Sequence, residues 1–127
     1  MQFGGPIVMV CRIRYSFTGR VQGVGFRATA QHLAELLGVT GWVRNETDGS
    51  VTMEAQGERD QIESLIIRLQ SGGGDIAVTG LCFQSVPVVQ NERVFIIDRR
   101  RSVGPRCLQD FWFLEKMTCL NRNAILL

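Results

Sequence analysis

The chain has 127 residues, of which 45% are hydrophobic and 20% charged, and its formal net charge is +2. These values support one domain with a real core, argue against a disordered polymer and leave too little chain for two comfortable domains. No apolar run approaches the ~20 residues of a membrane helix, and the N-terminal MQFGGPIVMVCRIRY lacks the basic start and long apolar stretch of a signal peptide, so a cytoplasmic protein is expected.

Four cysteines, Cys11, Cys82, Cys107 and Cys119, form no C-x-x-C pair, and His32 is the only histidine. Reduced thiols are expected, and a zinc site or other metal centre is not. The charge is uneven. Residues 1–98 carry eight arginines against ten acids, whereas residues 99–127 carry five arginines and a lysine against two acids. That split suggests a body followed by a basic extension.

Residues 7–17 are rich in Val, Ile, Tyr and Phe, and Arg12 and Arg14 alternate with Ile13 and Tyr15, the period of a strand with one wet face. A glycine-rich stretch, GRVQGVGFR, follows at residues 19–27. Residues 26–37 place Phe26, Ala30, Leu33, Ala34 and Leu37 at helical spacing, and Gly38 ends the pattern. Residues 39–45 and 51–56 read as a hairpin around ETDGS, with Asp48-Gly49 as the turn signal. Residues 59–70 form a second helix with Ile62, Leu65, Ile66 and Leu69 as its apolar stripe. Residues 78–86 and 93–98 are strand candidates, with Pro87 closing the first.

This β-α-β-β-α-β order, with a further short strand at the end, predicts an α+β fold of the ferredoxin-like kind. Two helices would lie on one face of an antiparallel sheet, over residues 1–98. Residues 99–127 then form a C-terminal basic and apolar extension. It starts with three consecutive arginines and a Gly104-Pro105 break, and carries Leu108, Phe111, Trp112, Leu114 and Leu120 at loose helical spacing. Three readings of it stay open: a helix docked on the body, a homo-oligomer contact, and a peripheral membrane or nucleic-acid contact.

The glycine stretch itself admits three readings. It is a plain strand-to-helix loop, a dinucleotide-binding turn, or an anion cradle. Gly23 to Ala28 formally fits G-x-G-x-x-A, with Glu46 roughly 20 residues on. The following hairpin is antiparallel in pattern, however, and the dinucleotide fold needs a parallel crossover. No Gly-Lys-Ser/Thr is present for a Walker A loop. The cradle reading rests on backbone N–H groups that converge at a glycine-rich turn and a helix start, on Arg27 as a forked cation beside them, and on the lack of acids in the loop.

Other residues have simpler explanations. His32 suits a helix surface, and Trp42 a core or interface. Arg44, opposite in parity to Val43, is expected in solvent. Asp48 belongs to its Asp-Gly turn rather than to a carboxylate pair with Glu46. Gln22 and Thr29 are placed to hydrogen-bond the loop from within. Arg12, Arg14 and Arg20 could make a basic strand face, but the third strand has no aromatic residue for stacking bases, so no nucleic-acid partner is expected, nor a membrane for the body.

GRVQGVGFR followed by GWVRNETDGSV resembles the two signature blocks of the acylphosphatase family, and ERVFIID resembles its closing strand. The resemblance covers roughly residues 8–98. It implies the ferredoxin-like fold and hydrolysis of the carboxyl–phosphate bond of small acyl phosphates, with inorganic phosphate as product and no metal or cofactor. It also implies site residues. Arg27 stands at the phosphate-binding arginine position. Asn45 stands where the attacking water is oriented. Arg20, Val21, Gln22, Gly23, Val24, Gly25 and Phe26 match the phosphate cradle. A similar domain opens a large carbamoyl-phosphate-using hydrogenase maturation enzyme, in which proline commonly follows that arginine and zinc-binding cysteine pairs come next. Here Ala28 follows Arg27, and no C-x-x-C is present, so a stand-alone enzyme is favoured. The alternative is a non-catalytic anion-binding or regulatory module of the same fold.

Overall fold

A computed structural model describes residues 9–100. Seven elements follow one another in the order β1 (Val10–Arg20), α1 (Phe26–Leu37), β2 (Thr40–Asn45), β3 (Val51–Glu58), α2 (Arg59–Ser71), β4 (Ala77–Val86) and β5 (Phe95–Ile97). The strands form one sheet in the order β4-β1-β3-β2-β5. The first four pair antiparallel, as the sequence predicts. β5 departs from that expectation, because it runs parallel to β2, with Val43 opposite Ile97. The sheet is therefore mixed.

Period-two alternation sorts the side chains. Tyr15, Phe17, Val43, Val51, Met53 and Ala55 point to the face that carries both helices, and all are buried. The stripe Ile62, Leu65, Ile66 and Leu69 of α2 and Phe26, Ala30 and Ala34 of α1 meet them there. Phe17 and Phe26 touch with ring centroids 4.9 Å apart. Burying each such ring contributes roughly 1.5–3 kcal/mol. Their contact also fixes where α1 begins relative to β1.

The other face is polar yet buried in part. Arg12 donates to Glu54 (2.6 Å), Gln56 (3.1 Å) and Glu92 (2.8 Å), and Arg14 donates to Glu54 (2.7 Å). Gln56 exchanges two hydrogen bonds with the backbone of Val89, at 2.9 and 2.8 Å. The segment after β4 is thereby strapped across this face. Burial pushes the Glu54 carboxyl up, but Arg12 and Arg14 together outweigh it, and its pKa lies below the ordinary value. The two strand arginines are thus bound to acids rather than arrayed as a free basic surface.

β1 runs three residues past the predicted Phe17, with a register shift between Thr18 and Gly19, and Arg20 pairs with Ala77. Residues 7 and 8 of the predicted strand lie outside the described residues, as does the extension beyond Arg100. Among the described residues, no helix is long and apolar enough to cross a membrane.

Candidate active site

Between β1 and α1 the chain passes through a short loop pinned at both ends by buried side chains, Val21 and Phe26. Gly23 and Gly25 have φ of 74° and 80°, whereas Val24 between them keeps a negative φ. This alternation of hand turns successive backbone N–H groups toward one side. A Cβ at either glycine would meet nothing within 4 Å, so the backbone angle, not crowding, requires glycine there.

α1 begins at this loop with Gly25 as its N-cap, no capping side chain and no acid in its first turn. The contrast with α2 is instructive. There Gln61 accepts from the Glu58 N–H at 3.0 Å, and Asp60 sits in the first turn. α2 satisfies its own amino end; α1 leaves free N–H groups and a positive dipole end facing outward. Arg27 is the second residue of that helix, and its guanidinium makes no ion pair among the described residues.

The opposite wall comes from the ends of two strands. Asn45, last residue of β2, shares the helix-bearing face with Val43. Its Oδ1 is buried and has no donor among the described residues. Together Val21, Gly23, Gly25, Phe26, Arg27, Ala28, Asn45, Ile97 and Arg99 line a cleft of about 210 Å³. That is smaller than the ~300–1,000 Å³ of pockets that enclose drug-sized ligands, and suits a small substrate. No Asp or Glu is in this wall.

Six of the nine lining residues come from the two blocks singled out in the sequence, and Ala28 follows the first of them directly. Arg27 and Asn45 are brought together, with Val21, Gly23, Gly25 and Phe26. Arg20, Gln22 and Val24 are not among the lining residues. Arg20 is in β1, and Val24 packs against the core. Gln22 was expected to bond within its own loop. Instead its amide nitrogen donates to the carbonyls of Glu46 (2.8 Å) and Ser50 (2.9 Å), across to the β2–β3 turn. Thr29 contributes its backbone N–H to the Gly25 carbonyl (3.0 Å).

The turn is held in its own right. Asp48 Oδ1 accepts from Ser50 N (2.9 Å) and Oγ (2.6 Å), and Glu46 N donates to Ser50 O (2.9 Å). Arg44 is half-buried and paired, rather than free in solvent as parity alone suggests. It pairs with Glu46 (3.3 Å) and Asp98 (3.4 Å) and lies over the Trp42 ring at 4.7 Å. Asp98 also accepts from the Arg100 side chain at 3.1 Å, and these hydrogen bonds, against the opposing effect of burial, lower its pKa from 3.8 to about 2.

Ile97 and Arg99 escaped the sequence reading. The signal was present, since Ile97 and Arg99 share one parity in FIIDR. It could be used only once β5 was known to pair with β2.

The sequence model of the acylphosphatase family matches residues 13–97. The chain is 56% identical over 61 residues to an acylphosphatase of Salinibacter ruber, a match covering 48% of this chain and 64% of that protein, so it spans somewhat under two thirds of that relative. The crystal structure of the Bacillus subtilis acylphosphatase superposes with a TM-score of 0.66 at 31% identity, over 71% of this chain and 99% of that one. An acylphosphatase from Coxiella burnetii gives 0.64 at 36% identity, over 70% and 93%. With a matching family model across nearly all of the described fold and two almost complete acylphosphatases laid upon it, the chain belongs to the acylphosphatase family.

Proposed function

We propose that this protein hydrolyses the carboxyl–phosphate bond of small acyl phosphates to a carboxylate and inorganic phosphate, without a metal. One observation carries the proposal: Asn45, whose Oδ1 has no donor among the described residues, and Arg27, which makes no ion pair among them, line the same small cleft. A binding module needs only the cation and the N–H cradle. A neutral amide side chain at the far wall adds a place to hold water.

The chemistry follows from the parts. The loop N–H groups and Arg27 bind the equatorial phosphoryl oxygens and stabilise the charge they carry in the transition state. The Asn45 side-chain amide holds the water by hydrogen bonding and aligns it with phosphorus. The new water-oxygen–phosphorus bond forms as the bond from phosphorus to the acyl oxygen breaks. The electron pair leaves on the carboxylate, and the water proton passes to phosphate or solvent. A carboxylate leaves readily, so no general acid or Lewis acid is required.

Turnover of benzoyl phosphate in excess EDTA tests this. Arg27→Ala is expected to lower kcat/KM by about 10²–10³-fold, and Asn45→Ala to lower kcat by a similar factor with KM little changed. Phosphate binding without turnover in the wild type would replace the enzyme reading with that of an anion-binding module.

A further inference from the structure

The cleft holds a second cation that the hydrolytic step does not use. The β2–β5 register sets Val43 opposite Ile97, and the Asp98 N–H continues the pairing to the Val43 carbonyl at 2.8 Å. Two residues farther on, the same parity brings Arg99 alongside Asn45. Asp98, of opposite parity, turns away to Arg44 and Arg100. Arg99 therefore takes the helix-bearing side and lines the cleft with Arg27 and Asn45.

Arg99 makes no ion pair among the described residues. The nearby acids are engaged elsewhere: Glu46 with Arg44, and Asp98 with Arg44 and Arg100. The cleft thus presents two guanidinium groups and no carboxylate of its own. Arg27 stands at the start of α1, among the N–H groups that suit a phosphoryl group. Arg99 stands at the opposite wall, beyond the end of β5.

We infer that Arg99 is a specificity residue that selects acyl phosphates bearing a free carboxylate elsewhere on the acyl group. This rests on the hydrolase reading above. A guanidinium matches a carboxylate with two parallel hydrogen bonds. Such a pair at the cleft mouth favours a substrate with an anionic acyl group over one whose acyl group is neutral, and salt weakens that preference.

The test compares 3- and 4-carboxybenzoyl phosphate with benzoyl phosphate, in the full-length wild type and in Arg99→Gln and Arg99→Glu. The wild type is expected to favour at least one carboxylated substrate by about 10-fold in kcat/KM, the scale of one modest charged contact. Arg99→Gln is expected to abolish that ratio, Arg99→Glu to invert it, and added salt to shrink it in the wild type alone. Equal losses on all three substrates would make Arg99 a phosphate ligand and overturn the inference. A wild-type ratio near one would overturn it too. If the wild type hydrolyses none of the three, the hydrolase reading itself falls.

Discussion

The side-chain amide of Gln22 donates to the Ser50 carbonyl at 2.9 Å, and through that bond the glycine-rich loop is fastened to the turn that follows Asn45. The second bond of the same nitrogen, to Glu46 O, grips the residue next to Asn45. Two stretches far apart in sequence are held in one register by one side chain.

Gln22→Met keeps the volume and removes both donors. The cradle and Asn45 then lose their mutual register while each stays intact. We expect kcat for benzoyl phosphate to fall about 10-fold, a misplacement effect, with inhibition by inorganic phosphate nearly unchanged. Steady-state kinetics with phosphate as competitor separates this from simple unfolding, which would lower active enzyme concentration without a kcat-specific pattern after active-site titration.

Gly25→Ala isolates the backbone angle. Nothing crowds the added methyl group, so the cost is that of a left-handed conformation, about 1–2 kcal/mol. The urea midpoint should drop accordingly, and weaker phosphate binding should accompany it as the N–H groups turn aside. D-alanine at position 25, introduced by semisynthesis, should restore both.

Phe26 joins core to site. It is buried, packs its ring at a tilt against Phe17 and begins the helix that carries Arg27. Phe26→Ala should destabilise the fold by about 3–5 kcal/mol. Phe26→Leu should cost less and leave the protein folded, but raise KM, because the helix start then settles differently against β1. Denaturant titration and kinetics on the pair check both statements.

Acid should weaken the polar face. The folded pKa of Glu54 lies below its ordinary value of 4.5, so between the two values the unfolded chain binds more protons than the folded one. The stabilisation is fully present above about pH 4.5 and is lost as pH falls through the folded value. Glu54→Gln removes one side of a buried pair and should cost about 3–5 kcal/mol at neutral pH. Its deficit relative to wild type should narrow steadily below pH 4.5, as followed by thermal melts.

Much of this was legible before any coordinates. The stripes of both helices and the hairpin follow from periodicity and turn chemistry, and the resemblance of two short blocks to the acylphosphatase family implies that Arg27 and Asn45 share a site. What was not legible depends on contacts between remote segments. The end of β1 is decided by β4, which draws Arg20 out of the cradle and into the sheet. The fate of Arg44 depends on Asp98, and that of Gln22 on the backbone of a turn whose carbonyls have no signature in sequence. Arg99 looked like the first residue of an extension because the direction of β5 cannot be read from a three-residue strand.

The parallel seam between β2 and β5 bears on how the protein reaches its working form. Its contacts join the middle of the chain to the end of the described domain, and closing so long a loop is slow compared with forming a hairpin or a helix. Until Ile97 docks beside Val43, the cleft lacks the part of its wall that Ile97 and Arg99 supply. The fully walled cleft should therefore return only with such long-range pairings, this seam and that of β1 with β4, after the helical signal has recovered.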